Sequence, residues 1–197
     1  MSSASLGTIV LIPIRSFDDM KTRLADALDI DQRRRLAIWM AEKVVAAAAP
    51  FPTRIITDDL EVAEWAHASR AGVIDPGVRG LNPCVAAAVA ATAREGYDRA
   101  IIAHADLPAA QSLTALDGHG VMIAPDAARD GSNVLGVPTD AGFEFHYGPG
   151  SFAAHSSEAE RVGLTLTVVD DPDLAWDVDD PADLPDEWRS VVEHESR

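Results

Sequence analysis

Four short segments of the 197-residue chain carry side chains suited to chemistry, and each lies at or just beyond an apolar run. The first, RSFDDMKTRL, places Arg15, Lys21 and Arg23 within nine residues in a chain of formal net charge −16. Such a cluster suits the charge of a triphosphate and of pyrophosphate as it departs. Three solvated charges at the start of a helix would fit the same residues. The second, GVRGLN, spans residues 77–82. Gly77 and Gly80 allow close backbone approach, and a following helix N-terminus would offer unpaired N–H groups. Asn82 could read a base edge with its amide or simply cap that helix.

The third segment, HADLP, follows a fully apolar run. A carboxylate at the end of a buried strand, Asp106, is a poor choice for stability alone. It is a good ligand for Mg²⁺, which takes one or two carboxylates together with substrate phosphates. Helix capping by Asp106 is the competing account. The fourth is Asp177-Val178-Asp179. In extended chain the two carboxylates share a side, where they repel each other unless a cation lies between them. With Asp180 and Asp183 following, a solvated acidic loop is the alternative.

Other familiar chemistries lack their residues. Cys84 is the only cysteine, which excludes an intrachain disulfide and a cysteine-built zinc site. Its Ala/Val-rich surroundings suit a small buried hydrophobe. The six histidines show no HExxH or paired ligand spacing. His155, one turn beyond Ser151, is the one to test first. No GxSxG elbow supports triad hydrolysis, and no GxxxxGK[ST] supports a P-loop kinase. Gly148–Ala153 satisfies GxGxxA, but so late in the chain that a dinucleotide fingerprint is discounted. Instead YGPGS offers a second anion-binding helix start, and RDGSN offers Ser132 and Asn133 as donors. The acidic balance argues against a nucleic-acid surface, though a small anionic ligand remains compatible with it. No apolar run reaches 18 residues, so no membrane span is expected. The start has no basic n-region, and the chain is expected to remain in the cytoplasm.

The elements that would position these residues alternate between strand-like and helical runs. Strands are expected over 8–14, 54–57, 72–74, 100–103, 121–124 and 164–169. Residues 134–137 and 143–147 read as a strand pair bracketing a turn. Helices are expected over 31–49, capped by Asp31, and over 60–69, 85–94, 151–162 and 185–195. The pattern predicts an α/β chain with a mostly parallel sheet and helices on both faces, folded as one domain over 1–197.

Taken in order, the segments resemble the guanylyltransferase family of deazaflavin-coenzyme biosynthesis, often called CofC or FbiD. That family's pattern is P-x-K with a following K-[ST]-R-L, then GLN, ADLP, DGTN, FGPGSF and D-x-D-x-P-x-D-L. The chain has PIRSFDDMKTRL, GLN, ADLP, DGSN, YGPGSF and DVDDPADL, from Pro13 to Leu184. The resemblance implies a Rossmann-like, GT-A-like nucleotidyltransferase fold. It implies transfer of GMP from GTP to phosphoenolpyruvate or 2-phospho-L-lactate, with release of pyrophosphate, in coenzyme F-420 biosynthesis. Lys21, Arg23 and Asp106 are then the catalytic candidates. Arg15, Lys21, Arg23, Gly80 and Asn82 are the nucleotide-binding candidates. Ser132, Gly148 and Ser151 would seat the acceptor, and Asp106, Asp177 and Asp179 would hold Mg²⁺. A homodimer, and hand-off of product to a downstream transferase, fit the same picture. Arg15 stands where the pattern has lysine, Ser132 for threonine, Tyr147 for phenylalanine and Ala154 where many relatives carry arginine. A glycosyltransferase using a nucleotide-sugar, or a non-catalytic GTP-binding relative, are the other readings.

Overall fold

The computed structural model describes residues 6–18, 20–186 and 188. A seven-stranded sheet organises them, in the order β3-β2-β1-β4-β6-β5-β7. β1 (Thr8–Pro13) lies centrally, parallel to β2 (Thr53–Ile56) on one side and to β4 (Arg99–Ala103) on the other. β3 (Gly72–Ile74) extends the parallel half. β6 (Ser132–Pro138) runs antiparallel between β4 and β5 (Val121–Pro125), and β7 (Leu166–Val168) is parallel to β5. Four of the six pairings are parallel, as the alternating elements predict.

Strand alternation sends side chains to two cores. Val10, Ile12, Ile55 and Ile101 face α1 (Ile30–Ala47) and α2 (Leu60–Ala68). Ile9, Leu11, Ala100, Ile102 and Leu135 face α3 (Leu81–Glu95) and α4 (Ser151–Arg161). With both faces covered, β1 and β4 become continuous apolar runs rather than alternating ones. A third cluster joins Leu24, Leu28, Leu36, Met40, Val178 and Leu184. It ties two loops of the chain to α1, one around Leu24 and one around Val178.

The structure corrects several expected boundaries. Asp29, rather than Asp31, caps α1: its carboxylate accepts from Gln32 N–H at 2.8 Å, and Gln32 Oε1 accepts from Asp29 N–H at 2.9 Å. This reciprocal box satisfies two orphan donors, which Asp31 inside the first turn cannot do. α3 begins at Leu81 instead of 85, because Pro83 in a first turn forfeits an N–H that would have no intrahelical partner. On α2 the buried positions are Val62 and Ala66, while Leu60 is exposed.

Residues 143–147 do not form a strand. Phe143, Phe145 and Tyr147 are buried between exposed Glu144 and His146, so the period of two is real. Their N–H groups, however, meet side chains instead of a neighbouring strand. Glu144 donates to Glu158 Oε1 at 2.7 Å, His146 to His155 Nε2 at 2.9 Å, and Tyr147 to Asn82 Oδ1 at 2.6 Å. The helix expected over 185–195 falls largely outside the described residues. Among the described residues no helix is long and apolar enough to cross a membrane.

Candidate active site

The segments singled out in the sequence meet at the carboxyl ends of β1 and β4, where the direction of chain crossover reverses and open α/β sheets place their ligands. Asp106 follows β4 by three residues. The Val178 N–H donates to the Asp106 carbonyl at 3.3 Å, which brings the Asp177-Val178-Asp179 segment alongside. Val178 is completely buried among Leu24, Leu36 and Met40, whereas Asp177 and Asp179 are half-buried. One apolar anchor therefore fixes two carboxylates, as the extended-chain alternation predicts.

Lys21 sits between Asp106 and Asp179. Its Nζ lies 2.5 Å from Asp106 Oδ2 and 3.3 Å from Asp179 Oδ1, and its side chain is only 6 % exposed. It immediately precedes a 3-10 turn, Thr22–Leu24, whose Leu24 enters the same apolar cluster as Val178. The Lys21 backbone is left-handed, φ 59°, a conformation costly for a side chain with a Cβ. Arg23 is exposed and reaches Asp179 at 3.3 Å.

The charges are incompletely balanced. Burial alone would lower the Lys21 pKa, but Asp106 and then Asp179 raise it above the usual value. Burial would raise Asp106, yet the Lys21 ammonium, followed by His104, holds it below the carboxylate range. Asp177 is pushed up, by burial first and then by the charge of Asp106, against the pull of a 3.3 Å hydrogen bond from Asn133 Nδ2. Asp106 Oδ1 is buried and has no hydrogen-bond partner. An unpartnered buried carboxylate oxygen beside an uncomfortable second carboxylate fits a hard divalent cation. Among the described residues no group of three His, Cys, Asp or Glu side chains forms a ready-made cage. Two carboxylates completed by phosphate oxygens is the arrangement Mg²⁺ commonly takes with nucleotides.

Beside this charged centre opens a cavity of about 500 Å³ between the ends of β1, β2 and β3 and the start of α3. Arg15 and Gly80 both line it. Gly80 is the N-cap of α3 with φ 93°, so the helix entry requires a residue without a Cβ. A smaller cleft of about 150 Å³ reaches His104 and Asp106, and it shares Pro13, Ile14, Arg15 and Leu81 with the cavity. The cavity and the carboxylate cleft thus share one continuous floor.

The remaining candidates belong to a different kind of neighbourhood. Asn82 neither lines the cavity nor caps α3: its amide accepts from Tyr147 N–H and donates to the Tyr147 carbonyl at 3.1 Å, clasping the backbone of the 143–147 segment. Ser132 and Ser151 are buried. Ser151 Oγ accepts from Ser132 N–H at 3.0 Å. His155 Nε2 already accepts from His146 N–H, so Nδ1 carries the ring proton and donates to Ser132 Oγ at 3.0 Å. Both hydroxyl oxygens are engaged as acceptors, and each keeps a proton to donate. Burial, then the charges of His146 and His104, lower the His155 pKa to about 4, so the ring is neutral.

The start of α4 is not the open anion site that YGPGS suggests. Gly150 N–H donates to Asp130 Oδ2 at 3.0 Å, Phe152 N–H to the Asp130 carbonyl and Ser151 N–H to the Gly148 carbonyl. Asp130 itself is held by Asp126, which accepts from the Asp130 and Gly131 N–H groups. Gly148 is exposed with φ 128°, which a Cβ-bearing residue rarely adopts. No local sequence pattern reveals Asp130, because its carboxylate lies twenty positions from the Gly150 N–H it accepts from.

Comparison with known proteins agrees with this fold. Residues 8–188 match the model of the family described as "Guanylyl transferase CofC like". A phosphoenolpyruvate guanylyltransferase of Sphaerobacter thermophilus is 34 % identical over 190 residues, covering 90 % of each chain. Among solved structures, a Desulfovibrio desulfuricans G20 protein assigned as a nucleotide-diphospho-sugar transferase superposes with a TM-score of 0.71 at 16 % identity, covering 96 % of this chain and 94 % of the other. Glucosyl-3-phosphoglycerate synthase of Mycobacterium tuberculosis, solved with Mn²⁺ and uridine diphosphate, gives 0.53 at 14 % identity, covering 83 % and 69 %. The fold is that of the Rossmann-like nucleotidyltransferases, and this protein is an enzyme of that kind. The chain belongs to the CofC-like guanylyl transferase family.

Proposed function

We propose that this enzyme transfers GMP from GTP to phosphoenolpyruvate, or to the closely related 2-phospho-L-lactate, and releases pyrophosphate, as a step in coenzyme F-420 biosynthesis. The observation that carries this reading is the convergence of Asp106 and Asp179 on Lys21, with Asp177 electrostatically coupled to Asp106, beside a cavity of about 500 Å³. The substrate names carried by the relatives support it.

An oxygen of the acceptor's phosphate attacks the α-phosphorus of GTP. One P–O bond forms, the bond from the α-phosphorus to the bridging oxygen breaks, and pyrophosphate leaves with that electron pair. The attacking oxygen is already ionised, so no general base is required, in keeping with the neutral, fully engaged His155. Asp106 and Asp177 would hold Mg²⁺, with Asp179 close by, and the ion would screen the repulsion between two anionic phosphates. Lys21 and Arg23 exchange their carboxylate partners for the triphosphate and stabilise charge on the departing pyrophosphate. Arg15 and Gly80 line the nucleotide's path. Ser132 and Ser151, through their remaining hydroxyl protons, and the exposed backbone at Gly148 seat the acceptor.

The test is pyrophosphate release by the purified protein with GTP, Mg²⁺ and each of a panel of phosphorylated acids, with products identified by mass spectrometry. Phosphoenolpyruvate or 2-phospho-L-lactate should yield a guanylylated diester. Release of a sugar from a nucleotide-sugar, or no turnover with any acid, would remove this reading.

A further inference from the structure

Asn82, the residue the sequence offered for reading the base, spends its amide on the Tyr147 backbone. Base recognition must then come from other groups, and the lining of the large cavity narrows the choice. Ile14, Ile56, Val78 and Leu81 supply apolar surface. Val78 and Leu81 are large hydrophobic residues left 46 % and 42 % exposed, suited to the flat face of an aromatic ring. The polar side chains of the lining divide into two groups. Thr57 Oγ accepts from Asp59 N–H, and Cys84 Sγ donates to the Val78 carbonyl, so both are engaged. Asp58 and Arg79 are exposed, and among the described residues neither has a hydrogen bond or an ion pair, with each other or with anything else. An acid and a guanidinium thus line one apolar cavity, and neither is neutralised by the fold.

We propose that Asp58 and Arg79 are the groups by which this enzyme selects guanine. The inference rests on the nucleotidyl-transfer reading above and supplies its nucleotide choice. Guanine alone among the common bases carries two adjacent donors on its Watson–Crick edge, N1–H and N2–H₂, which one carboxylate accepts together. Its other edge presents two adjacent acceptors, O6 and N7, which match a guanidinium fork. Adenine would set its N1 lone pair against the carboxylate and its amino group against the guanidinium, and both contacts repel. The cavity's continuity with the Asp106 cleft, through Pro13, Ile14, Arg15 and Leu81, gives the sugar and phosphates a path from that base to the carboxylates.

The experiment is a change of base preference. In Asp58→Asn the amide loses its complement to guanine but gains one to xanthine, whose O2 accepts from the amide nitrogen while N1–H donates to the amide oxygen. Binding of GTP and XTP to native and Asp58→Asn protein is measured by calorimetry, beside pyrophosphate release with a fixed acceptor. Native protein should prefer GTP. Asp58→Asn should bind GTP ~10- to 100-fold more weakly and prefer XTP, as one bidentate contact is worth. Its melting temperature should not change, because the native carboxylate is exposed and unpaired. Arg79→Met should weaken GTP and leave the XTP-to-GTP ratio of the native protein in place. Asp58→Asn protein that keeps the native preference overturns the inference while leaving guanylyl transfer intact. Reversal of binding preference without pyrophosphate release by the native protein upholds the inference and removes the reaction. Native protein that binds no guanine nucleotide overturns both.

Discussion

The charged centre at Asp106 and the serine–histidine cluster at Ser132 lie on neighbouring strands, yet they are built on opposite principles. Around Ser132, Ser151 and His155 the side chains meet one another's needs: hydroxyls accept, the imidazole donates on one side and accepts on the other, and no net charge is buried. Around Asp106 the fold stops short. A buried oxygen has no partner, Asp177 is held as an acid stronger neighbours discourage from ionising, and a lysine in a strained backbone supplies the positive charge. A closed network gives rigidity, and an unclosed one leaves free energy for a ligand to claim. The difference marks Asp106 and Asp177 as the groups the fold leaves unsatisfied.

Breaking the open side should have the largest effect. Asp106→Asn keeps the shape but removes a charge, and turnover should fall by about 10²- to 10³-fold while the melting temperature moves little. Equal turnover by the variant would place the reaction elsewhere. The closed side should fail through stability instead. The folded His155 pKa, about 4, lies below the value near 6.5 of an unfolded chain. Between those values the unfolded state binds a proton that the folded state refuses, so stability falls as pH drops from about 6.5 to 4, by about 3 kcal/mol in total. Denaturant titrations at pH 7 and 4.5 should show most of that loss in native protein and much less in His155→Asn. A native protein equally stable at both values would contradict the buried neutral ring. The subtlest contrast concerns Lys21, which occupies carboxylate oxygens that a metal would use. Lys21→Met should slow turnover yet tighten Mn²⁺ binding to nucleotide-free protein by ~10-fold, about 1.4 kcal/mol, as read by calorimetry. Weaker Mn²⁺ binding would mean that the ammonium supports the metal site instead of standing in for it.

These contrasts also explain what the sequence revealed. The apolar runs of β1 and β4 are legible because a central parallel strand has no polar face to present. Asp106 and the paired aspartates are legible because acids next to such runs violate the ordinary rules of burial. Residues 143–147 have a strand's period but not its partner, since their N–H groups are met by Asn82, His155 and Glu158 from two different helices. Periodicity reports which face is buried and is silent on what satisfies the backbone. The α4 start misleads for the same reason, because Asp130 claims the N–H that a phosphate would have taken. Asp58 follows β2 as Asp106 follows β4, so the same placement argument reaches it.

The link from Lys21 to Asp179 bridges 158 positions of sequence, and a single valine, Val178, locks the later arm into place. Competence is therefore a property of the finished fold alone. A fragment ending before Val178 would hold Lys21 and Asp106 but lack the acidic arm that the buried valine fixes beside them.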